Sequence, residues 1–450
     1  MSRRWFGTDG IRGPAGQFPL VPDFLRRLGR ALGEEARGGL VLLARDTRES
    51  GPAIVAALTE GLLGEGAQVL DFGVVPTAGL PVAMRTRGAT LGLVVSASHN
   101  PWEDNGVKVF GTSGLKLADA REAEIEARIT ALDGQPPRPP RGVASHADGA
   151  QAYVEWMTRR FADVRLAGLR LLVDCANGSA HATAPAVLRA LGAQVTPLFD
   201  QPDGRNINAG CGSTHMEALT ARVRAAVGAC DAGLAFDGDA DRVLLVDAAG
   251  RLCDGDHMLG FLGPHLKARG ELPGDGVVAT VMSNLGLQRA LTARGVALVR
   301  CPVGDRHVLM ALQAGGYALG GEASGHVLFR DGEAYIGDGL YTALRLLSAL
   351  RADGRTLAQA IDAVPRVPQV LLNVPVAAKP PVESLPRLSA AAAAAQARHG
   401  DDLRLVLRYS GTENLARVMV EGVDEAVVQG LARELGEVWK AEIAERGART

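Results

Sequence analysis

Ser96-Ala97-Ser98-His99-Asn100-Pro101 puts two hydroxyls, an imidazole and an amide on one turn, directly after an apolar run, Leu91-Gly92-Leu93-Val94-Val95. The run has the length and content of a short buried strand, and Pro101 stops any structure from continuing past it. Open α/β sheets place their chemistry at such strand ends. Lys108 follows ten residues after Ser98. A hydroxyl near a cation can hold a phosphoryl group, so this pairing suggests phosphoryl transfer through serine.

A second stretch, Asp237-Gly238-Asp239-Ala240-Asp241-Arg242, lies between the apolar runs Gly233-Leu234-Ala235-Phe236 and Val243-Leu244-Leu245-Val246. Three carboxylates at alternate positions on a tight turn repel one another, and a divalent cation relieves that repulsion. Hard oxygen donors favour magnesium or calcium. An EF-hand is excluded, because its sixth position needs glycine and holds Arg242, and its twelfth needs glutamate and holds Ala248. A magnesium site with a coordination position open to phosphate fits better. Arg242 beside it has the fork to grip a phosphoryl oxygen. A DxD glycosyltransferase or a phosphatase built on Asp237 would also use such a loop, but both leave the Ser98 turn unexplained.

Two further loops carry polar groups. In Gly320-Gly321-Glu322-Ala323-Ser324-Gly325-His326, the residues Glu322, Ser324 and His326 alternate. In an extended loop they would point the same way, a set suited to sugar hydroxyls or an amine. In Arg408-Tyr409-Ser410-Gly411-Thr412-Glu413-Asn414, Gly411 permits tight turning, so successive N–H groups can face one anion. Arg408, Ser410 and Thr412 add donors, and Arg417 lies close by. This is a cradle for a non-reacting phosphate. It is not a Walker A loop, since no GxxxxGK[ST] occurs in the chain.

These loops need a scaffold, and the rest of the chain describes one. With 450 residues, two to four domains are expected. Helix, glycine and strand recur in that order at Gly61-Leu62-Leu63-Gly64-Glu65-Gly66-Ala67-Gln68-Val69, at Val187-Leu188-Arg189-Ala190-Leu191-Gly192-Ala193-Gln194-Val195 and at Ala290-Leu291-Thr292-Ala293-Arg294-Gly295-Val296-Ala297-Leu298-Val299. Each glycine falls at a helix C-cap position, and the spacing favours three α/β units in series. The stretch Gly134-Gln135-Pro136-Pro137-Arg138-Pro139-Pro140-Arg141 reads as a linker, with a softer break near Ala248-Ala249-Gly250. Prolines 365, 368, 375, 380 and 381 precede a last unit containing an alanine-rich helix (390–395), an alternating strand (403–408) and a closing helix near 424–445.

Bulk properties narrow the function classes. Net charge is −2, aromatics make up 4%, and there is no basic block, which disfavours nucleic acid as a partner. The apolar runs are only strand-length and the N-terminus lacks an apolar signal core, so no membrane partner is expected. Five cysteines are scattered without a CxxC pair, which fits a reducing cytoplasm and argues against zinc or a disulfide framework.

Taken together, the loops resemble the α-D-phosphohexomutase superfamily over essentially the whole chain, and within it most closely the branch acting on glucosamine phosphates. The resemblance is carried by Phe6-Gly7-Thr8-Asp9-Gly10-Ile11-Arg12-Gly13, Asp46-Thr47-Arg48-Glu49-Ser50-Gly51 and the Ser96–Pro101 turn. It continues through Val173-Asp174-Cys175-Ala176-Asn177-Gly178, Asn206-Ile207-Asn208, Cys211-Gly212-Ser213-Thr214-His215 and the triple-aspartate loop. Met282-Ser283-Asn284-Leu285-Gly286-Leu287, Val303-Gly304-Asp305-Arg306 and the Glu322 and Arg408 loops complete it. The Glu-x-Ser-Gly-His and Arg-x-Ser-Gly-Thr-Glu patterns point to the glucosamine branch. Asn414, Ala323 and Thr77-Ala78 depart from the usual proline, glutamine and Thr-Pro, and none of these departures removes a chemical group the reaction needs.

The resemblance implies an α/β protein of four domains around a central cleft. Three are similar mixed α/β sandwiches in series (1–140 with the phosphoserine loop, 141–250 with the metal loop, 251–366 with the sugar loop). The fourth is a smaller α+β C-terminal domain (367–450) with the phosphate loop. It implies that Ser98 is a phosphoserine, that Asp237, Asp239, Asp241 and a Ser98 phosphate oxygen hold one Mg2+, and that glucosamine 6-phosphate and glucosamine 1-phosphate interconvert through a 1,6-bisphosphate. Arg12, Lys108 and His99 are then the candidates for proton transfer or charge orientation, and a lysine base would need a depressed pKa. Arg242, Glu322, Ser324, His326, Arg408, Ser410, Gly411, Thr412 and Arg417 are the substrate-binding candidates. The implied partners are the sugar phosphate and a hexose 1,6-bisphosphate primer, with a homodimer left open. The product would feed UDP-N-acetylglucosamine in the cytoplasm. A phosphoglucomutase or phosphomannomutase with the same mechanism is the alternative.

Overall fold

The computed structural model describes residues 4–7, 9–410 and 414–447. The first sheet contains β1 (Ile11–Pro14), β2 (Leu40–Arg45), β3 (Gln68–Val74), β4 (Leu91–Val95), β5 (Asp104–Phe110) and β6 (Ser145–His146), in spatial order β1-β5-β4-β2-β3-β6. The second contains β7 (Arg170–Asp174), β8 (Gln194–Leu198), β9 (Ala232–Phe236), β10 (Val243–Asp247) and β11 (Leu252–Cys253), in order β11-β10-β9-β7-β8. The third contains β12 (Gly276–Thr280), β13 (Ala297–Cys301), β14 (Leu319–Gly321), β15 (Val327–Asp331) and β16 (Ala334–Gly337), in order β13-β12-β14-β15-β16. The fourth is an antiparallel trio of β17 (Gln369–Pro375), β18 (Leu403–Tyr409) and β19 (Leu415–Gly422), with β19 in the middle.

One topology is repeated in the first three sheets. A parallel triplet (β4-β2-β3, β9-β7-β8, β14-β12-β13) is flanked by an antiparallel strand that follows directly in sequence (β5, β10, β15). The three recurring glycines occupy one role in this repeat. Each ends the helix that carries the chain from the first parallel strand to the second, with φ of +83° at Gly66, +99° at Gly192 and +66° at Gly295. These are left-handed conformations in which a Cβ is strained, which is why glycine stands there. The 134–141 stretch is exposed and irregular, and the first sheet takes its last strand, β6, beyond it.

Packing separates the last unit from the rest. A single apolar cluster runs through all three α/β sheets, from Leu42 and Phe72 through Leu234 and Phe236 to Leu287 and Phe329. The opposite face of the first sheet builds its own cluster around Phe24, Leu58 and Ile125, under helices Pro22–Ala36, Gly51–Gly64 and Asp119–Ala131. Val374 to Ile443 form a separate core around the buried Trp439, beneath helices Pro386–His399 and Glu425–Gly447. The fourth unit meets the third through polar contacts. Arg404 donates to the Val281 and Ser283 carbonyls (2.8 Å each), and the Asn284 amide exchanges hydrogen bonds with the Val367 backbone (3.1 and 3.0 Å).

Candidate active site

The repeat explains where the chemistry sits. Loops 96–103, 237–242 and 322–326 each join the third parallel strand to its antiparallel neighbour, so all three occupy one topological position in successive units. In the first unit the chain leaves β4 and turns at Ser98, whose φ is +54°. A left-handed serine is uncommon and must be held in place. Its N–H donates to Ser96 Oγ (2.9 Å), and Ser96 Oγ–H donates to Asp46 (2.6 Å). Its own Oγ–H donates to Asp237 Oδ2 at 2.5 Å, which ties the serine of one domain to the acidic loop of the next. Ser98 is 1% exposed.

The acidic loop is buried, not a solvated turn. Asp237, Asp239 and Asp241 are 0%, 1% and 6% exposed, and each offers an oxygen within 4.8 Å of the others. Burial, and then the charges of Asp241 and Asp239, push the Asp237 carboxyl well above the ordinary range. Burial also acts on Asp239, but Lys108 Nζ at 2.7 Å prevails and holds that carboxyl low. Thr77 Oγ–H adds a donor to Asp239 (2.7 Å). Among the described residues, Asp239 Oδ1 and Asp241 Oδ1 are buried with no hydrogen-bond partner, Arg242 Nε standing 3.8 Å from the latter. Orphaned carboxylate oxygens facing like charges are costly. A hard divalent cation resolves that cost, so the three side chains fit a metal. Gly238 is required by close approach, since a Cβ there would lie 2.5 Å from the Ser98 carbonyl oxygen.

Of the three proton-transfer candidates, Arg12 and His99 stand at the Ser98 turn and Lys108 at the acidic loop that faces it. Arg12 donates to the Ala97 carbonyl (3.2 Å) and to Asp9. His99 Nδ1 is 3.4 Å from Ser98 Oγ, and burial followed by the Arg242 and Arg12 cations lowers its pKa to about 4. Lys108 is fully enclosed. Burial disfavours its ammonium, but Asp239, Asp9 and Asp241 outweigh burial and hold the pKa well above the ordinary lysine value. This is the opposite of the depression that a lysine base requires, because the three carboxylates outweigh both burial and the nearby Arg12 cation. Asp9 joins Lys108, Arg12 and Lys116, and Lys116 reaches on to Asp305 of the third unit (2.6 Å).

The Glu322 loop differs from an extended segment. It is a tight hairpin turn in which Glu322 N–H donates to the His326 carbonyl and Gly325 N–H to the Glu322 carbonyl (3.0 Å each), with Gly325 at φ +92°. Alternation therefore does not align the three side chains. Ser324 is exposed, Glu322 accepts from Gly304 N–H (3.0 Å), and His326 is buried with Nδ1 3.8 Å from Asp241. His326 and Asp241 also line a largely apolar cavity of about 490 Å3 between the first and third units, walled by Val82, Phe110, Leu309 and Ile336. Arg242 lies between the acidic loop and this turn. Its N–H donates to Asp237 (3.2 Å), and Asp237, Asp241 and Glu322 raise its pKa against the effect of burial.

In the last unit, Arg408 on β18 stands directly opposite Arg417 on β19. Burial and then Arg417 lower the Arg408 pKa. Two like charges facing each other across a strand pair are destabilising by themselves and suit a shared anion. Ser410 is buried, and its carbonyl accepts from Lys379 (2.9 Å). Gly411 and Thr412 lie outside the described residues.

Comparisons with known proteins agree with this geometry. The chain matches phosphoglucomutase/phosphomannomutase alpha/beta/alpha domain I over residues 3–135, domain II over 151–250, domain III over 254–367 and the C-terminal domain over 371–438. It is 47% identical over 439 residues to a phosphoglucosamine mutase of Thermus thermophilus, covering 97% of each chain. The chain belongs to the phosphoglucosamine mutase family. A solved phosphoglucomutase/phosphomannomutase family protein from Burkholderia thailandensis superimposes with a TM-score of 0.81 at 28% identity, covering 98% of each chain. N-acetylphosphoglucosamine mutase of Aspergillus fumigatus, solved in complex with GlcNAc-6P and magnesium, shares the fold (TM-score 0.62, 19% identity, 98% of this chain and 96% of that one).

In this phosphoglucosamine mutase family member the Ser98 loop is held by residues to which the sequence alone assigned no role. Arg48 is 0% exposed. Its guanidinium bonds Asp46 (2.9 Å) and four carbonyls, those of Ser98 (3.0 Å), Asn100 (2.8 Å) and Pro101 in the loop and of Asp104 (2.8 Å) at the start of β5. From the second unit, Asn208 Nδ2 donates to the Ser98 and Asn100 carbonyls (2.9 and 3.0 Å). Asp46, Arg48 and Asn208 stand in sequence motifs that carry the family resemblance. Their spacing shows no chemistry, because their partners are one another, the Ser96 hydroxyl and the backbone of a distant loop.

Proposed function

We propose that phospho-Ser98 is the phosphoryl donor through which this isomerase interconverts glucosamine 6-phosphate and glucosamine 1-phosphate. The bond from Ser98 Oγ to phosphorus breaks as O1 of glucosamine 6-phosphate forms its own, and the proton lost from O1 is balanced by the one that restores the Ser98 hydroxyl. The product is glucosamine 1,6-bisphosphate and unphosphorylated Ser98. After the bisphosphate turns over, Ser98 takes the phosphoryl group from O6 and glucosamine 1-phosphate departs. The observation that carries this reading is the left-handed Ser98, with its hydroxyl 2.5 Å from Asp237 at the edge of a buried carboxylate triad.

Asp237, Asp239 and Asp241, with a Ser98 phosphate oxygen, would hold one Mg2+. When bound, that ion neutralises charge on the transferring group. Arg12 and Lys108 present cations to the same oxygens, and His99 borders Ser98 Oγ. Arg242 bridges from the triad toward Glu322, and Glu322, Ser324 and His326 form the sugar side. Arg408, Ser410, Gly411, Thr412 and Arg417 supply the cradle for the phosphate that does not react. The loops come from four domains, the first reaching past residue 140 to include β6 (Ser145–His146) and the second past 250 to include β11 (Leu252–Cys253). A hexose 1,6-bisphosphate primes Ser98, and the reaction belongs to the cytoplasm. Among the described residues no helix is long and apolar enough to cross a membrane.

The test is turnover of magnesium-loaded protein primed with a trace of glucose 1,6-bisphosphate, with glucosamine, glucose and mannose phosphates compared side by side. Preference for glucosamine phosphate and loss of turnover in Ser98→Ala are expected. Preference for glucose or mannose phosphate keeps the mechanism and overturns the substrate. Absence of turnover with all three, Ser98 being phosphorylated by mass spectrometry, overturns the mutase reading.

A further inference from the structure

We propose that Asn208 is a positioning residue that fastens the Ser98 loop of the first domain to the metal-loop domain, and so holds Ser98 Oγ in register with Asp237. The kinetic part of this inference rests on the mutase reading. Ser98 must both leave and return as the phosphoryl acceptor, and its left-handed backbone needs restraint from outside the turn. Within its own domain the restraint is Arg48. Across the domain boundary, beside the Ser98 hydroxyl's bond to Asp237, the backbone is gripped by the amide of Asn208, whose Nδ2 donates to the carbonyls of both Ser98 and Asn100. Carbonyl oxygens only accept, so the amide nitrogen must face them. Asn208 is 6% exposed and left-handed itself (φ +58°), and its own N–H is anchored on the Ala176 carbonyl (2.9 Å). The second domain also carries Asp237 and presses Gly238 against the same Ser98 carbonyl. The amide that grips the serine and the carboxylate that receives its hydroxyl are therefore parts of one rigid domain. A misplacement of about 1 Å at a reacting atom costs ~100-fold in rate, so this grip bears on kcat and not on sugar binding.

Two variants separate side-chain donation from backbone strain. Asn208→Gly keeps the left-handed backbone and removes the donor. Asn208→Asp keeps shape and conformation but turns a carboxylate toward two carbonyl oxygens. Thr47→Val is the matched control, because it deletes another hydrogen bond between the same domains (Thr47 Oγ to the Asn177 carbonyl, 2.6 Å) without touching the Ser98 turn. We expect kcat to fall by ~10- to 100-fold in both Asn208 variants with KM changed less than about twofold, and Thr47→Val to stay within about twofold of wild type. Amide hydrogen exchange of the peptide spanning residues 96–101, measured without substrate, should quicken by ~10-fold or more in the Asn208 variants only. Exchange and kcat no different from Thr47→Val, or an effect confined to KM, would overturn the proposal. If wild type fails to turn over any sugar phosphate, the mutase reading falls, while the exchange comparison still decides whether Asn208 fastens the loop.

Discussion

Replacing Arg48 by methionine tests whether the Ser98 loop is held by a buried charge or merely packed. Methionine approximates the volume of the stem, so no large cavity opens. What disappears is the partner of Asp46, which is 1% exposed and whose carboxyl burial already holds above the ordinary range with Arg48 beside it. Stripping one member from a buried ion pair costs about 3–5 kcal/mol. The Ser98 and Asn100 carbonyls keep the Asn208 amide and the Pro101 carbonyl keeps the Asp104 N–H (3.2 Å), but the half-buried Asp104 carbonyl loses the guanidinium, at about 1 kcal/mol. Because these costs overlap, about 5 kcal/mol is expected for the first domain. Arg48→Lys should cost about 2 kcal/mol, since it keeps the charge beside Asp46 but lacks the planar fork that serves four carbonyls. The assay is urea unfolding followed by hydrogen exchange within residues 40–110, which isolates that domain's transition in a chain not expected to unfold in two states. In the double variant Asp46→Asn/Arg48→Met no charge is left buried, so about 2 kcal/mol or more of the loss should be recovered. A cost below about 1 kcal/mol for Arg48→Met, or no recovery in the double variant, would refute the reasoning.

Other outcomes follow from the same geometry. Magnesium should raise the melting temperature of the wild-type protein by relieving the repulsion among Asp237, Asp239 and Asp241, and chelation should abolish turnover; Asp241→Asn should shrink the magnesium-dependent shift in a thermal scan. Arg408→Ala should raise KM for the sugar phosphate by ~10-fold or more and remove protection by inorganic phosphate, with little change in unfolding free energy, because it also relieves the repulsion with Arg417. Burial raises the Asp174 pKa to about 6 from 3.8, against the pull of the Gly212 and Ala176 amides. The folded state then binds more protons than the unfolded one between those values, so the stability difference between wild type and Asp174→Asn should fall as pH rises from about 4 to about 6 and stay flat above, by on the order of 3 kcal/mol in all. Denaturant titrations of the two proteins at four pH values would show this, and a difference independent of pH would refute it.

The legible part of the site is the part whose chemistry resides in side-chain type and spacing. Ser98 after an apolar run, alternating aspartates between two strands, and glycine after each connecting helix all declare themselves locally, and the structure assigns each to the element expected. The Glu322 turn shows the limit of that reading. Alternation predicts side-chain direction only if the backbone is extended, and Gly325 at φ +92° closes a hairpin that buries His326 and exposes Ser324. Lys108 marks a second limit. Its sequence neighbours reveal nothing of the three carboxylates that surround it, because Asp9, Asp239 and Asp241 arrive from 99, 131 and 133 residues away and set its charge state between them.

A physical reason lies behind this division. In each α/β unit one strand position carries a loop whose side chains differ completely, a serine turn, an acidic turn and a polar hairpin, while the order of strands beneath stays the same. The units also share one continuous apolar cluster, so the loops of the first two are fixed relative to each other by packing. The Ser98 turn can therefore stay in register with Asp237 through turnover. The fourth unit has its own core and meets the third through Arg404 and Asn284, which are hydrogen bonds and not a shared hydrophobic layer. Polar interfaces of this kind permit relative domain motion. A bisphosphate that must turn over between two half-reactions needs its reacting end held rigidly and its far end held by something able to yield. Rigid packing beneath Ser98 and a polar joint beneath Arg408 meet those two needs in one chain.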